Sequence, residues 1–372
     1  MAISIGPGWN IGAGWAVTGY APPYVFNGFT APAAMNGSAT AAFMNAVAVN
    51  AAGTLFVAVG QSATNVPVAA YSSNGSTWTT PAAMGGTILS VLIINAVAVN
   101  AAGTLWVAVG NDNSTGVPYY ATSSNGTTWT APAAMAGGAV ASQIKSVAYS
   151  PSLNLFVAVG WLNSGFPSYS TSSNGSTWTT PAAINGSTTQ ITMLGIAWSP
   201  TLNLFVAIGS LDANSSGYYA TSSNGSTWTT PAAIPGNAGE SNMYGVTWSS
   251  ALGLFVAVGR NINTSIAYAT YSSNGSNWVA ATAMGGTSSS SIMLSVAPSL
   301  AGNLLVAIGQ TLNTSAPLYA TSSDGITWTV PAAMGGDTTA KAMTAVIANG
   351  AGKFVAVGSN GTTSVPLYAT ST

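Results

Sequence analysis

The residues able to do acid–base or ionic chemistry are few enough to weigh one by one. Asp112, Asp212, Glu240 and Asp337 are the acids in variable segments, and Arg260 is the one arginine. Glycoside hydrolysis needs two carboxyl groups roughly 5–10 Å apart. Asp112 and Asp212 fall in equivalent segments two units apart, whereas Asp212 and Glu240 fall in neighbouring segments of adjacent units and are the pair able to approach. The plainer alternative is that all four are solvated loop acids. As metal ligands they are poorly placed, because no two are close in sequence and Ca²⁺ takes six to eight oxygens. No metal and no cofactor is expected. Trp161 is the other candidate: with Asn163 and Phe166 nearby, an exposed indole there would stack on the apolar face of a sugar. The alternative is that it plugs a channel mouth or covers a neighbouring loop.

What is missing narrows the chemistry further. There is no His and no Cys, so His-based acid–base catalysis, disulfides and Cys/His zinc sites are excluded by count. Four cations and five acids make the chain 2% charged, against about 25% in an ordinary soluble domain. Four cations cannot neutralise a run of phosphates or hold an anionic membrane surface, so neither nucleic acid nor membrane attachment is expected. Low charge does not mean disorder here, since 48% of residues are hydrophobic. Apolar runs are broken every few positions by Gly, Asn, Ser or Thr, so no membrane-inserted helix is expected. The first fifteen residues lack a basic start and a continuous apolar stretch, so no Sec signal peptide is visible.

These residues must be positioned by a repeat of about fifty residues. A Val-Ala-Val-Gly or close variant places Gly at 60, 110, 160, 209, 259, 309 and 358, and a Ser-Ser-Asn-Gly-x-x-Trp or close variant places Trp at 78, 129, 178, 228, 278 and 328. A fixed period near 50 marks a solenoid, an array or a propeller. Each unit reads as four strands: a short strand A such as "NAVAVN", an apolar strand B such as "TLFVAVG", a strand C, and a strand D after the Trp. The Asn-Gly between C and D predicts a type I′ turn with positive φ at both residues. Pro81, Pro132, Pro181, Pro231 and Pro331 cannot donate to a ladder, which makes D the edge strand. Nothing has a helical period, so almost no helix is expected. The fold predicted is all-β: a seven-bladed β-propeller of four antiparallel strands per blade. Strand D follows a hairpin Trp only six times. "FNGFTAPAAM" (26–35) supplies the seventh, with Phe29 standing 49 residues before Trp78. Residues 24–35 are therefore expected to close blade seven with 343–372, within a single propeller over 24–372. Residues 1–23, apolar and Gly-rich, fall outside the repeat as a tail.

The "SSNGSTW" hairpin resembles the Asp-box of sialidase-like (BNR-repeat) propellers, in which a Ser, an Asp, a Gly and a Trp mark the C–D turn. Ser72 to Trp78 is one residue shorter than the usual box and has Asn for Asp, and only Asp324 restores the acid. The abbreviated "TSSDGITWT" (321–329) also resembles repeats in phage and environmental viral proteins, where such propellers sit on virion surfaces. Sialidase activity, which the resemblance would imply, needs three arginines, and the chain has one arginine and one glutamate. The chain is therefore expected to be no enzyme. In a propeller the A–B and C–D loops share one face and the B–C and D–A loops the other. The first set is nearly uniform here and the second varies, carrying Asp112, Lys145, Asp212, Glu240, Arg260, Asp337 and Lys341. Loops on a rigid scaffold carry binding, so Asp112, Trp161, Asn163, Asp212, Glu240 and Arg260 are the ligand-binding candidates; the alternative is that charge simply collects on exposed loops. The function expected is a structural or recognition component of an extracellular assembly, a phage virion decoration or tail-associated protein. Its partners would be other assembly proteins, met through residues 1–23, and a cell-surface glycan, with the chain oligomeric or assembly-bound. The alternatives are a glycan-binding lectin and, remotely, a glycoside hydrolase.

Overall fold

In the computed structural model, residues 26–37, 41–86, 91–138, 142–187, 189–211, 216–235, 241–285, 290–299 and 303–372 are described. The tail 1–23, Asp212 and Glu240 lie outside them. Seven four-stranded antiparallel sheets stand in a ring. Blade one runs Ala42–Val49 (A), Phe56–Ser62 (B), Pro67–Ser72 (C) and Ala82–Ala83 (D). Every edge strand D is only two residues long and follows the residue that is proline in most units. Among the described residues, helix is limited to single 3₁₀ turns after strand D in five of the blades.

Strand B is buried on both faces, as its continuous apolar run demands: Phe56 to Val59 are fully buried, and the pattern repeats around the ring. The tryptophans fill the seams between blades. Trp78 packs with Val355 and Val357 of blade seven, and Trp129 with Val57 and Val59 of blade one. The C–D turns differ from the expected type I′. In "SSNG" only the glycine has positive φ, as at Gly75 with +74°. The turn is instead built by side chains: Ser72 Oγ accepts from Gly75 N at 2.9 Å, and Asn74 Oδ1 accepts from Ser76 N and Thr77 N, both at 2.8 Å. Asn satisfies backbone donors from its side chain rather than by adopting the left-handed region itself.

The ring closes as the repeat count requires. Ala33–Ala34 is the fourth strand of blade seven, beside Pro366–Thr370. Thr30 N donates to Thr370 O at 2.9 Å and Asn27 N to Thr372 O at 2.7 Å. Phe29 takes the seam position held elsewhere by Trp, edge-on to Phe26 and Tyr319. Lys341 Nζ adds a bond to Pro32 O at 3.3 Å, and Lys353 Nζ reaches blade one at Asn74 O (2.9 Å) and Ser76 Oγ (2.7 Å).

Candidate functional site: the axial mouth

The site follows from the repeated glycine. At each of the seven glycines a Cβ would lie 1.7–2.0 Å from a backbone oxygen of strand A, for example Phe43 O at Gly60. Only Gly lets strand A press that close. The ladder then slips. Met44 pairs with Gly60 and Ala46 with Val59, which leaves Asn45 as an extra residue. The same bulge recurs in all seven blades, at Asn45, Asn95, Lys145, Leu194, Tyr244, Leu294 and Thr344. A β-bulge re-aims the side chain it releases. Here the seven released side chains ring one mouth of the axial channel, around a hollow of about 230 Å³. Strand A continues below with Ala, Ser or Gly and then Val or Ile around a space of about 200 Å³. The residue before each bulge, Met in five blades and Ile in two, is fully buried and holds the ring from behind.

The bulges lie where strand A begins and strand B ends, so the ring opens on the face of the B–C and D–A loops. Backbone bonds knit that face from blade to blade. Ala42 N donates to Ser364 O, Leu92 N to Asn65 O, Ser142 N to Gly116 O, Ser291 N to Ser265 O and Lys341 N to Ser315 O, each joining strand A to the preceding B–C turn.

The ring is chemically divided. Blades seven, one, two and three present Thr344, Asn45, Asn95 and Lys145, while blades four to six present Leu194, Tyr244 and Leu294. Three polar members spend their donors on the scaffold. Asn45 Nδ2 donates to Ile94 O and Gln61 Oε1, both at 2.7 Å, and Asn95 Nδ2 to Ile144 O at 2.7 Å and Asn111 Oδ1 at 2.9 Å. Thr344 Oγ1 lies 2.6 Å from Met44 O. Lys145 behaves differently: its Nζ lies over the Trp161 ring, 4.9 Å from the centroid. Burial pushes its pKa below the ordinary lysine value, and no described acid pairs with it. Among the described residues the one ion pair is Lys341–Asp337, at 2.6 Å.

Trp161 and Arg260 occupy the strand-B position after the repeated glycine, directly behind the ring. Trp161 is half-buried under Lys145 instead of forming an open platform. Arg260 keeps a buried Nε without a partner, as does Asn242 Oδ1 on the strand beside it. Asn163 is exposed in the B–C turn, with its Oδ1 against the place a Cβ on Gly116 would fill. Asp112 stands apart from both. Its carboxylate caps its own turn, accepting from Ser114 N (2.7 Å), Ser114 Oγ (2.6 Å) and Thr115 N (3.0 Å). Burial raises its pKa, but these bonds outweigh that and hold it below the usual carboxylate value. The structure thus joins Trp161 to Lys145 and gives Asp112 no second described acid. Lys145, Asp112, Arg260 and Lys341, expected in loops, lie on strands, the last three at or next to a strand end.

Comparison with known proteins agrees on fold alone. No family model matches the sequence, and no curated protein matches it. Solved propellers match over nearly the whole chain. The BP39L lectin from Burkholderia pseudomallei has a TM-score of 0.68 at 12% identity, covering 89% of this chain and 95% of that one. YCF48 bound to D1 peptide has a TM-score of 0.61 at 14% identity, covering 94% and 97%. Hydrazine synthase of Kuenenia stuttgartiensis has a TM-score of 0.64 at 10% identity, covering 95% and 98%. The chain is a seven-bladed β-propeller. At these identities the likeness extends to architecture and not to activity.

Proposed function

We propose that this propeller is a non-enzymatic recognition module that works fixed within an assembly and meets its partner on the face of the B–C and D–A loops. The observation that carries this is the bulge ring: seven strands with the same bulge present five kinds of side chain at one position, on the face whose loops also vary. Fixed assembly is supported by the 2% charge, which leaves little mutual repulsion between copies. The finer reading is a virion component, decorative or tail-associated, that contacts its neighbours through residues 1–23. The resemblance to Asp-box repeats of viral propellers supports it. Catalysis is disfavoured because Asp112 is committed to its own turn.

Fractionating native source material tests the assembly reading. The protein is expected to sediment with particles and to be released only when they are disrupted. A free monomer that retains a glycan on an array would overturn it in favour of a lectin. One feature favours that second reading: an outer groove of about 460 Å³ between blades one and two, walled by Tyr71, Thr80, Thr128 and Trp129. The lectin from Burkholderia pseudomallei shares the fold.

A further inference from the structure

Two members of the bulge ring keep hydrogen-bond donors free. Lys145 has no described anion beside it, and the Trp161 face under its ammonium is at most a weak acceptor. Tyr244 Oη receives Asn242 Nδ2 at 3.3 Å and donates to no described acceptor. Leu194 stands between these two in the ring and Leu294 follows Tyr244. Behind this arc Gly195 and Gly245 take the place of the Ala or Ser of other blades. A Cβ on Gly245 would lie 2.9 Å from Leu294 O, so the apolar arc is drawn tight.

We infer that the axial mouth binds a carboxylate carrying an apolar substituent. The carboxylate sits on Lys145 and Tyr244, and the substituent lies against Leu194 and Leu294. This rests on the recognition reading above and names the ligand class at its centre. A half-buried ammonium with no described counter-ion gains most from an anion, and the phenol of Tyr244, two members further along the ring, suits the second oxygen. The hollow at the mouth, of about 230 Å³, admits one small organic acid. Two sources share this chemistry: a free small acid, or the α-carboxylate at a peptide's end.

Calorimetry on the full chain, with N-acetyl-leucine as probe, tests the inference. N-acetyl-leucine is expected to bind, and N-acetyl-leucinamide, which lacks the charge, at least about tenfold more weakly. N-acetyl-glycine, which lacks the apolar body, is also expected to be weaker. Lys145→Gln should cause the same tenfold loss and Tyr244→Phe a smaller one. Lys353→Gln, the same charge change on the other face, should change nothing. Should Lys145→Gln fail to fold, the acid–amide comparison on the unaltered chain still decides. A leucine-ended peptide that binds better with a free than with an amidated end, and better than N-acetyl-leucine, identifies a chain end as the source; no gain over N-acetyl-leucine identifies a free acid. Equal binding of acid and amide, no binding up to about 10 mM, or indifference to Lys145→Gln overturns the inference. Co-sedimentation with particles would survive that failure, so the recognition reading would stand while the mouth ligand fell.

Discussion

At the scale of single residues, Lys145 is held at a cost. Burial lowers its pKa, so the folded chain binds that proton less tightly than the unfolded chain does. The ionised form therefore opposes folding at neutral pH, and the penalty fades as pH rises toward the ordinary lysine range. Lys145→Met keeps the apolar stem and removes the charge; it is expected to melt no lower than the parent in a thermal scan, whereas a clear drop would show that the cation is structural. The turn asparagines act in the opposite sense. Asn74→Ala removes the acceptor for two backbone donors and should cost about 1–2 kcal/mol in denaturant unfolding. Asp324 makes the same two bonds, from Ile326 N and Thr327 N. Asp and Asn are thus interchangeable in this turn, because its Oδ1 does the capping.

At the scale of elements, the bulge is the device that matters. Gly209→Ala would put a methyl 1.9 Å from Thr192 O. The strand must then give up its slip, and we expect a loss above about 3 kcal/mol in chemical denaturation. A loss below 1 kcal/mol would mean that the bulge does not depend on the glycine. The clasp strand carries its own ionic tie through Asp337, Lys341 and Pro32 O. Burial raises the Asp337 pKa, but the bonds from Lys341 and Thr339 outweigh it and bring the value down to about 2. A carboxyl depressed in the folded state stabilises above its ordinary pKa of 3.8 and loses that contribution as pH falls through about 2. Melting points of the parent and Asp337→Asn should therefore converge as pH drops from about 4 to 2.

At the scale of the whole molecule, stability depends on closing the ring. Phe29 is 5% exposed and packs with Phe26, Tyr319 and Phe354 across the last seam. Phe29→Ala should cost about 3–5 kcal/mol and loosen blade seven first. Hydrogen exchange would register that as early loss of protection in Pro366–Thr370. Uniform loss around the ring would instead mean that the blades unfold as one unit.

The architecture was legible from the sequence. Seven glycines and six tryptophans in phase dictate seven copies of one sheet, because each copy has an apolar face that only a neighbour can cover. Phe29, in phase with the tryptophans, fixed where the ring closes. The turn type was misread because Asn-Gly alone does not reveal which group, backbone or side chain, satisfies the donors. The bulge ring was not read from the sequence because period and charge pointed to loops. Its signal was nonetheless present: 14 or 15 residues before each repeated glycine stands one residue of varying type (Asn, Asn, Lys, Leu, Tyr, Leu, Thr). What the sequence does not reveal is the one-residue slip that turns these side chains inward. Period-two alternation places a residue on one face of a strand or the other, and a bulge breaks that alternation at one point. Only the pairing of strand A against a glycine of strand B, together with closure of the ring, brings seven residues from 300 positions of chain around one mouth.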